Sequence, residues 1–151
     1  IMQSMTEGPL TGSNCQNIRV CIYDGKMHAV DSNDISFQLA ASHAFKEAFN
    51  EARPQLLEPY YQLEVLCEDV YTGDVMGDLQ TRRAIIQGMD TDGHYQKIIS
   101  EVPLAELKDY GSTLRSLTQG KAKFKLEFSS YQLVPAHVQE SLVISNAVLS
   151  E

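Results

Sequence analysis

The residues best suited to chemistry or contact lie in two places. Lys26, Met27 and His28 follow Asp24-Gly25, a pair that favours a tight turn, so a lysine, a thioether and an imidazole are presented on a polar tip. Near the other end, Lys121, Lys123 and Lys125 alternate with Ala122, Phe124 and Leu126, and period two places three ammonium groups on one face of a strand. That face reads equally as a phosphate contact or as a solvated strand edge guarded against aggregation. Asp74 and Asp78 stand one helical turn apart, the spacing of an acid/base pair, but a solvated face near a helix N-terminus accounts for them better. His28, His43, His94 and His137 show no ligand spacing, and no metal site or catalytic residue is expected from them. The three cysteines, Cys15, Cys21 and Cys67, form no CxxC pair and read as reduced thiols of a cytoplasmic protein, with Cys21 and Cys67 buried in strands.

Composition bounds the rest. The 151 residues are 43% hydrophobic and 21% charged, as in ordinary globular proteins, and hold no apolar run that would span a bilayer. The first residues lack a signal-peptide pattern, and without an initiator methionine the chain reads as part of something longer. The net charge of -8 disfavours polyanion binding by bulk attraction. Residues 1–56 carry four basic and six acidic side chains, residues 57–109 four and eleven, and residues 110–151 four and three. Contact with nucleic acid is therefore local, at the tip or near the lysine row. A small acidic enzyme built on the 57–109 segment is the alternative from another class.

Along the chain, Ile1 to Met5 reads as a helix end stopped by Gly8-Pro9. Asn17 to Tyr23 alternates Ile18, Val20 and Ile22 with Arg19 and Cys21, as a strand does. Asp31 and Ser32 are good N-caps for a helix beginning near Asn33, with Ile35, Leu39, Ser42, Phe45 and Phe49 on its buried face and alanines widening it to Arg53-Pro54. The prolines at 54 and 59 mark a joint. Beyond it come a strand from Tyr61 to Cys67, a helix from Thr72 to Arg83, a strand from Ala84 to Met89, a DTDG turn, and a strand from Tyr95 to Val102. A short helix from Pro103 to Tyr110, a loop from Gly111 to Gly120 holding Arg115, and the strand from Lys121 to Phe128 complete the unit. The order is β-α-β-β-α-β, the ferredoxin-like arrangement of an α+β protein. Pro135, Val138, Leu142, Ala147 and Val148 suggest a terminal helix, so the expected division is 1–56, 57–134 and 135–151.

These residues also carry a resemblance. Tyr23, Asp24, Gly25 and His28, then Val30, Asp31 and Ser32, and Ala44 to Ala48 resemble the turn and helix of the fourth domain of the bacterial elongation factor G family, as do Gly8-Pro9-Leu10 and Gly12 upstream. Leu56 to Pro59, Gly73-Asp74-Val75, Gly77-Asp78-Leu79, Arg82-Arg83 and Gly88-Met89 are similar to that family's last domain. So are Val102-Pro103-Leu104, Leu114-Arg115-Ser116, Thr118 to Gly120, and Glu127-Phe128 ahead of Tyr131. Lys26-Met27 stand where the family usually has Ser-Tyr, and Ala29 where it has an acidic residue, a more positive tip that leaves a diverged paralogue or a ribosomal-protection protein as alternatives.

The resemblance implies part of a domain like the second domain of ribosomal protein S5, a strand and a helix, followed by the complete ferredoxin-like domain. It implies a ribosome-binding portion of a factor that promotes tRNA–mRNA translocation. Gly25, Lys26, Met27 and His28 would contact RNA in the decoding site, and Arg115, Lys121, Lys123 and Lys125 would meet ribosomal RNA near the stalk base of the large subunit. No G-x-x-x-x-G-K-[ST] loop occurs, so GTP and magnesium are expected in a domain these residues do not include. In the family the strand at 17–23 pairs with strands absent from this chain, so self-association through it is expected.

Overall fold

The computed structural model describes residues 1–149. Two compact units result: residues 1–56 with 135–149, and residues 57–134.

The 57–134 unit is a four-stranded antiparallel sheet, β1 (Leu57–Glu68), β2 (Ile85–Asp92), β3 (Tyr95–Pro103) and β4 (Lys123–Leu133), in the order β2-β3-β1-β4, with helices α3 (Thr72–Thr81) and α4 (Tyr110–Leu117). This is the α+β, ferredoxin-like β-α-β-β-α-β arrangement expected from the strand and helix periods. Alternation decides what is buried. Leu63, Val65 and Cys67 of β1 and Ile98 and Val102 of β3 point to one side, where Val75 and Leu79 of α3 and Tyr110 and Leu114 of α4 close over them. Burying each such aliphatic side chain contributes about 1.5–3 kcal/mol. Two fully buried hydroxyls are satisfied by backbone: Ser100 donates to the Leu63 carbonyl at 3.3 Å and Thr118 to the Leu114 carbonyl at 2.8 Å.

Several boundaries differ from the sequence reading. β1 begins at Leu57, inside the expected joint, and contains Pro59. The missing N–H is tolerated because Pro59 pairs only with Tyr131 of β4, while pairing with β3 starts one residue later, at Tyr60 opposite Pro103. The helix expected over Pro103–Tyr110 is a 3-10 turn, Leu104–Leu107, and the expected loop at 111–120 is largely α4. Asp109 takes a left-handed φ of 58° and restarts the chain, after which Tyr110 and Leu114 recur at helical spacing on the core. The hairpin turn lies at Gly93-His94 rather than across Asp90–Gly93, with Gly93 at a φ of 63°. α3 begins at Thr72 as expected but ends at Thr81, two residues before Arg83.

The other unit holds α1 (Met2–Thr6), α2 (Asp34–Glu51) and α5 (Ala136–Leu149). The loop after α1 closes tightly: Gly8 accepts and donates backbone bonds within 8–13, and a Cβ there would meet the Ser13 carbonyl oxygen at 2.5 Å. α2 is capped by Asn33, whose side chain accepts from Ser36 N at 2.9 Å, so neither Asp31 nor Ser32 is the cap. Only the second half of its expected apolar face is covered, with Phe45 buried and stacked at 5.6 Å on Phe49, while Ile35 is 68% exposed. The expected strand at 17–23 does not form, because nothing in the chain pairs with it and a lone strand leaves its backbone groups unsatisfied. Cys21 is accordingly exposed, against the expectation of burial, whereas Cys67 is fully buried and burial pushes its thiol up from its ordinary value. Gln139 of α5 holds the joint: its Oε1 accepts from Leu56 N at 2.9 Å. The final two residues of the expected 135–151 segment, and the side chains of Ala147 and Val148, lie outside the described residues.

Candidate functional site

The tip runs from Tyr23 to Ser32. Asp24 Oδ1 accepts from Gly25 N at 2.8 Å, and Ser32 Oγ accepts from His28 N at 2.6 Å, so one end of the loop is tied back to the start of the helix. Ser32 thus serves the loop instead of capping α2. The chain reverses at 29–31, not at Asp24-Gly25, and Gly25 does not use a positive φ. Without flanking strand pairs, no hairpin closes over that dipeptide. Gly25, Lys26, Met27 and His28 are all exposed, and the Lys26 and His28 side chains have no partner among the described residues. Such an array offers one cation, one imidazole and open backbone N–H groups to a ligand that accepts hydrogen bonds.

The second predicted set divides. Lys121, just ahead of β4, pairs with Glu68 at 3.3 Å, and Lys125 pairs with Glu127 at 2.9 Å. Lys123 and Lys125 line an open hollow of about 360 Å³ together with Glu64, Asp92 and Lys97, and Lys97 pairs with Glu64 at 3.0 Å. The lysine row therefore faces carboxylates of its own sheet, and the surface there is nearly balanced in charge. Arg115 stands apart: it is an exposed residue of α4, with no side-chain partner among the described residues.

Several acidic side chains of 57–109 are used structurally. Arg83 donates to both oxygens of Glu58 at 2.8 and 3.0 Å and through Nε to Glu106 at 2.8 Å. These bonds, above all to Glu58, raise its guanidinium further above its ordinary value. Arg82 donates to Asp78 at 2.8 Å and to the Glu106 carbonyl at 2.6 Å, and lies over the Tyr110 ring at 5.2 Å. Asp78 is thereby committed, while Asp74 is exposed one turn away. The sequence does not show the arginine clamp, since Arg82-Arg83 read there only as the end of the helix from Thr72. Glu58 and Glu106 give no local signal, being 25 and 23 residues from Arg83.

Among the described residues no group of three or more His, Cys, Asp or Glu side chains is placed to hold a metal ion. No helix of the described residues is long and apolar enough to cross a membrane. The sequence contains no G-x-x-x-x-G-K-[ST] loop.

Both units have relatives among known proteins. Residues 1–53 match the family model described as elongation factor G, domain IV, and residues 55–142 match that of the elongation factor G C-terminus. The chain is 43% identical over 143 residues to elongation factor G of Thermotoga neapolitana, and 46% identical over 143 residues to that of Aquifex pyrophilus. Each alignment covers 95% of this chain and 21% or 20% of the relative, so the chain spans about one fifth of their length. A crystal structure from Thermus thermophilus superimposes with a TM-score of 0.81 at 43% identity, covering 96% of this chain and 22% of that one. With the model of the C-terminus alone matching more than half of its residues, the chain belongs to the elongation factor G family.

Proposed function

We propose that this chain is a ribosome-binding portion of a translation elongation factor, in which the loop from Tyr23 to Ser32 enters the decoding site and accompanies tRNA–mRNA movement. The observation that carries this reading is the match of both units, in order, to the family's domain IV and C-terminus. The chemistry of the loop agrees with it. Lys26 and His28 are exposed, have no duty in a core, and suit RNA, whose phosphates and 2′-hydroxyls accept hydrogen bonds. In the same reading the 57–134 unit meets the large subunit near its stalk base, and Arg115 is its best-placed cation. The lysine row contributes less, because Lys121 and Lys125 are already paired. The chain itself is not a catalyst, and GTP with magnesium would be bound by a part of the factor outside these residues.

The test uses the full-length factor that carries these residues. Replacing His28 with Ala should slow tRNA–mRNA movement on the ribosome about tenfold, the loss of one hydrogen bond to a charged acceptor. GTP turnover and thermal stability should match the parent. Unchanged movement would overturn the reading, and so would a variant that fails to fold or to hydrolyse GTP.

A further inference from the structure

We propose that Ser32 is a positioning residue for His28, holding the loop in the form that presents its imidazole to RNA, an inference that rests on the reading of the tip as an RNA contact. Ser32 Oγ accepts from His28 N at 2.6 Å, and the ring this bond closes contains the whole reversal at 29–31. Among the described residues no bond between backbone groups spans that reversal. The other bond within the loop, from Gly25 N to Asp24 Oδ1, joins neighbours and closes nothing. Residues 16–31 are all exposed, and Ser32 is the first after them that is not. Its hydroxyl is therefore the point at which the loop is made fast to the start of α2.

Two adjacent acceptors divide the work. Asn33 caps α2, its Oδ1 accepting from Ser36 N at 2.9 Å and from Ser36 Oγ at 3.0 Å, so the helix has no need of the Ser32 hydroxyl. That leaves Ser32 to the loop. A held N–H restricts the plane of the peptide between Met27 and His28, and with it the direction in which the His28 side chain leaves the chain. The same bond takes the His28 N–H out of use, so the imidazole is what His28 offers a ligand. A loop held in its binding form before contact loses less entropy on binding. Removing the tie should therefore weaken the contact without touching the group that makes it.

The full-length factor that carries these residues tests this on the ribosome. Ser32→Ala should slow tRNA–mRNA movement about fivefold, the worth of one net hydrogen bond, and Ser32→Thr, which keeps the hydroxyl, should restore the parent's rate. Because Ser32 acts through His28, adding Ser32→Ala to His28→Ala should slow movement no further than His28→Ala alone. In this chain by itself, Ser32→Ala should speed hydrogen exchange at the His28 amide about fivefold and leave the helical circular dichroism unchanged, since Asn33 is the cap. A loss of helical signal would assign the hydroxyl to the helix and overturn the proposal. Unchanged exchange at His28, full movement with Ser32→Ala, a threonine that fails to restore it, or additive slowing in the double variant would each overturn it too. A His28→Ala factor that moves tRNA at the parent's rate would instead overturn the reading of the tip itself.

Discussion

At the scale of single residues, Tyr110 is the most informative core position. Its ring is buried between α3 and β4, where Arg82 and Phe124 touch it, yet its hydroxyl has no hydrogen-bond partner. Burial, helped by the carboxylate of Asp78, pushes the phenol well above its ordinary value of 10.0. In the unfolded chain the phenol ionises near that ordinary value, whereas in the folded chain it stays neutral. The contribution is thus fully present below pH 10 and is lost as pH rises beyond it, because the folded state then binds more protons than the unfolded one. Tyr110→Phe should remove this alkaline loss from the pH dependence of urea midpoints. At neutral pH the same change should be neutral or stabilising by up to about 1 kcal/mol, since it deletes an unsatisfied buried hydroxyl while keeping the ring. A variant destabilised at neutral pH would mean that the hydroxyl has a partner, such as a bound water.

At the scale of elements, the clamp by Arg83 joins three segments that the sequence separates. Arg83 itself follows α3 with a left-handed φ of 56°, an unfavourable conformation for a side chain with a Cβ, and its two carboxylate partners come from β1 and the 3-10 turn after β3. Arg83→Ala should cost about 2 kcal/mol, because it leaves the nearly buried Glu58 carboxylate without its cation. A thermal midpoint shift within error of zero would show that the ion pairs are matched by solvation. Strands were the legible part of this unit, because Leu63, Val65 and Cys67, or Ile98 and Val102, announce a buried face by alternation alone. α4 was not legible, because Gly111, Ser112 and Thr113 have the composition of a loop and only Tyr110 and Leu114 betray a helix. The strand expected at 17–23 had the right alternation and failed for a nonlocal reason, the absence of a partner. In the candidate site the tip residues are exposed, as their polar surroundings suggest, but the reversal expected at Asp24-Gly25 lies at 29–31 because no strand pair flanks that dipeptide. The neutralisation of the lysine row was not legible, since Lys121 and Glu68 lie 53 positions apart.

At the scale of the whole molecule, the two units differ in how much holds each of them. The 57–134 unit buries nine hydrophobic residues in one cluster, from two strands and two helices. Among the described residues of the other unit only Gly8 and Phe45 are buried, and Ile18, Val20, Ile22, Ile35 and Leu39 stay in contact with solvent. Hydrophobic burial is the main term opposing chain entropy, so the units should not share one cooperative transition. Denaturant should unfold residues 1–56 with 135–149 first. That step should remove the larger part of the helical circular dichroism, because α2 and α5 contain 18 and 14 residues against 10 and 8 in α3 and α4. Amide exchange in native buffer should follow the same division, with β1 and β3 amides around Leu63, Val65, Ile98 and Val102 protected to the stability of the second transition and those of 17–23 exchanging at nearly the rate of an open chain. A single transition, coincident by helical signal and by tyrosine fluorescence, would contradict this division. If the division holds and the loop binds as proposed, the segment bearing Lys26 and His28, ordered least by its own packing, would gain order on binding at a cost in affinity that rigid attachment to further structure would reduce.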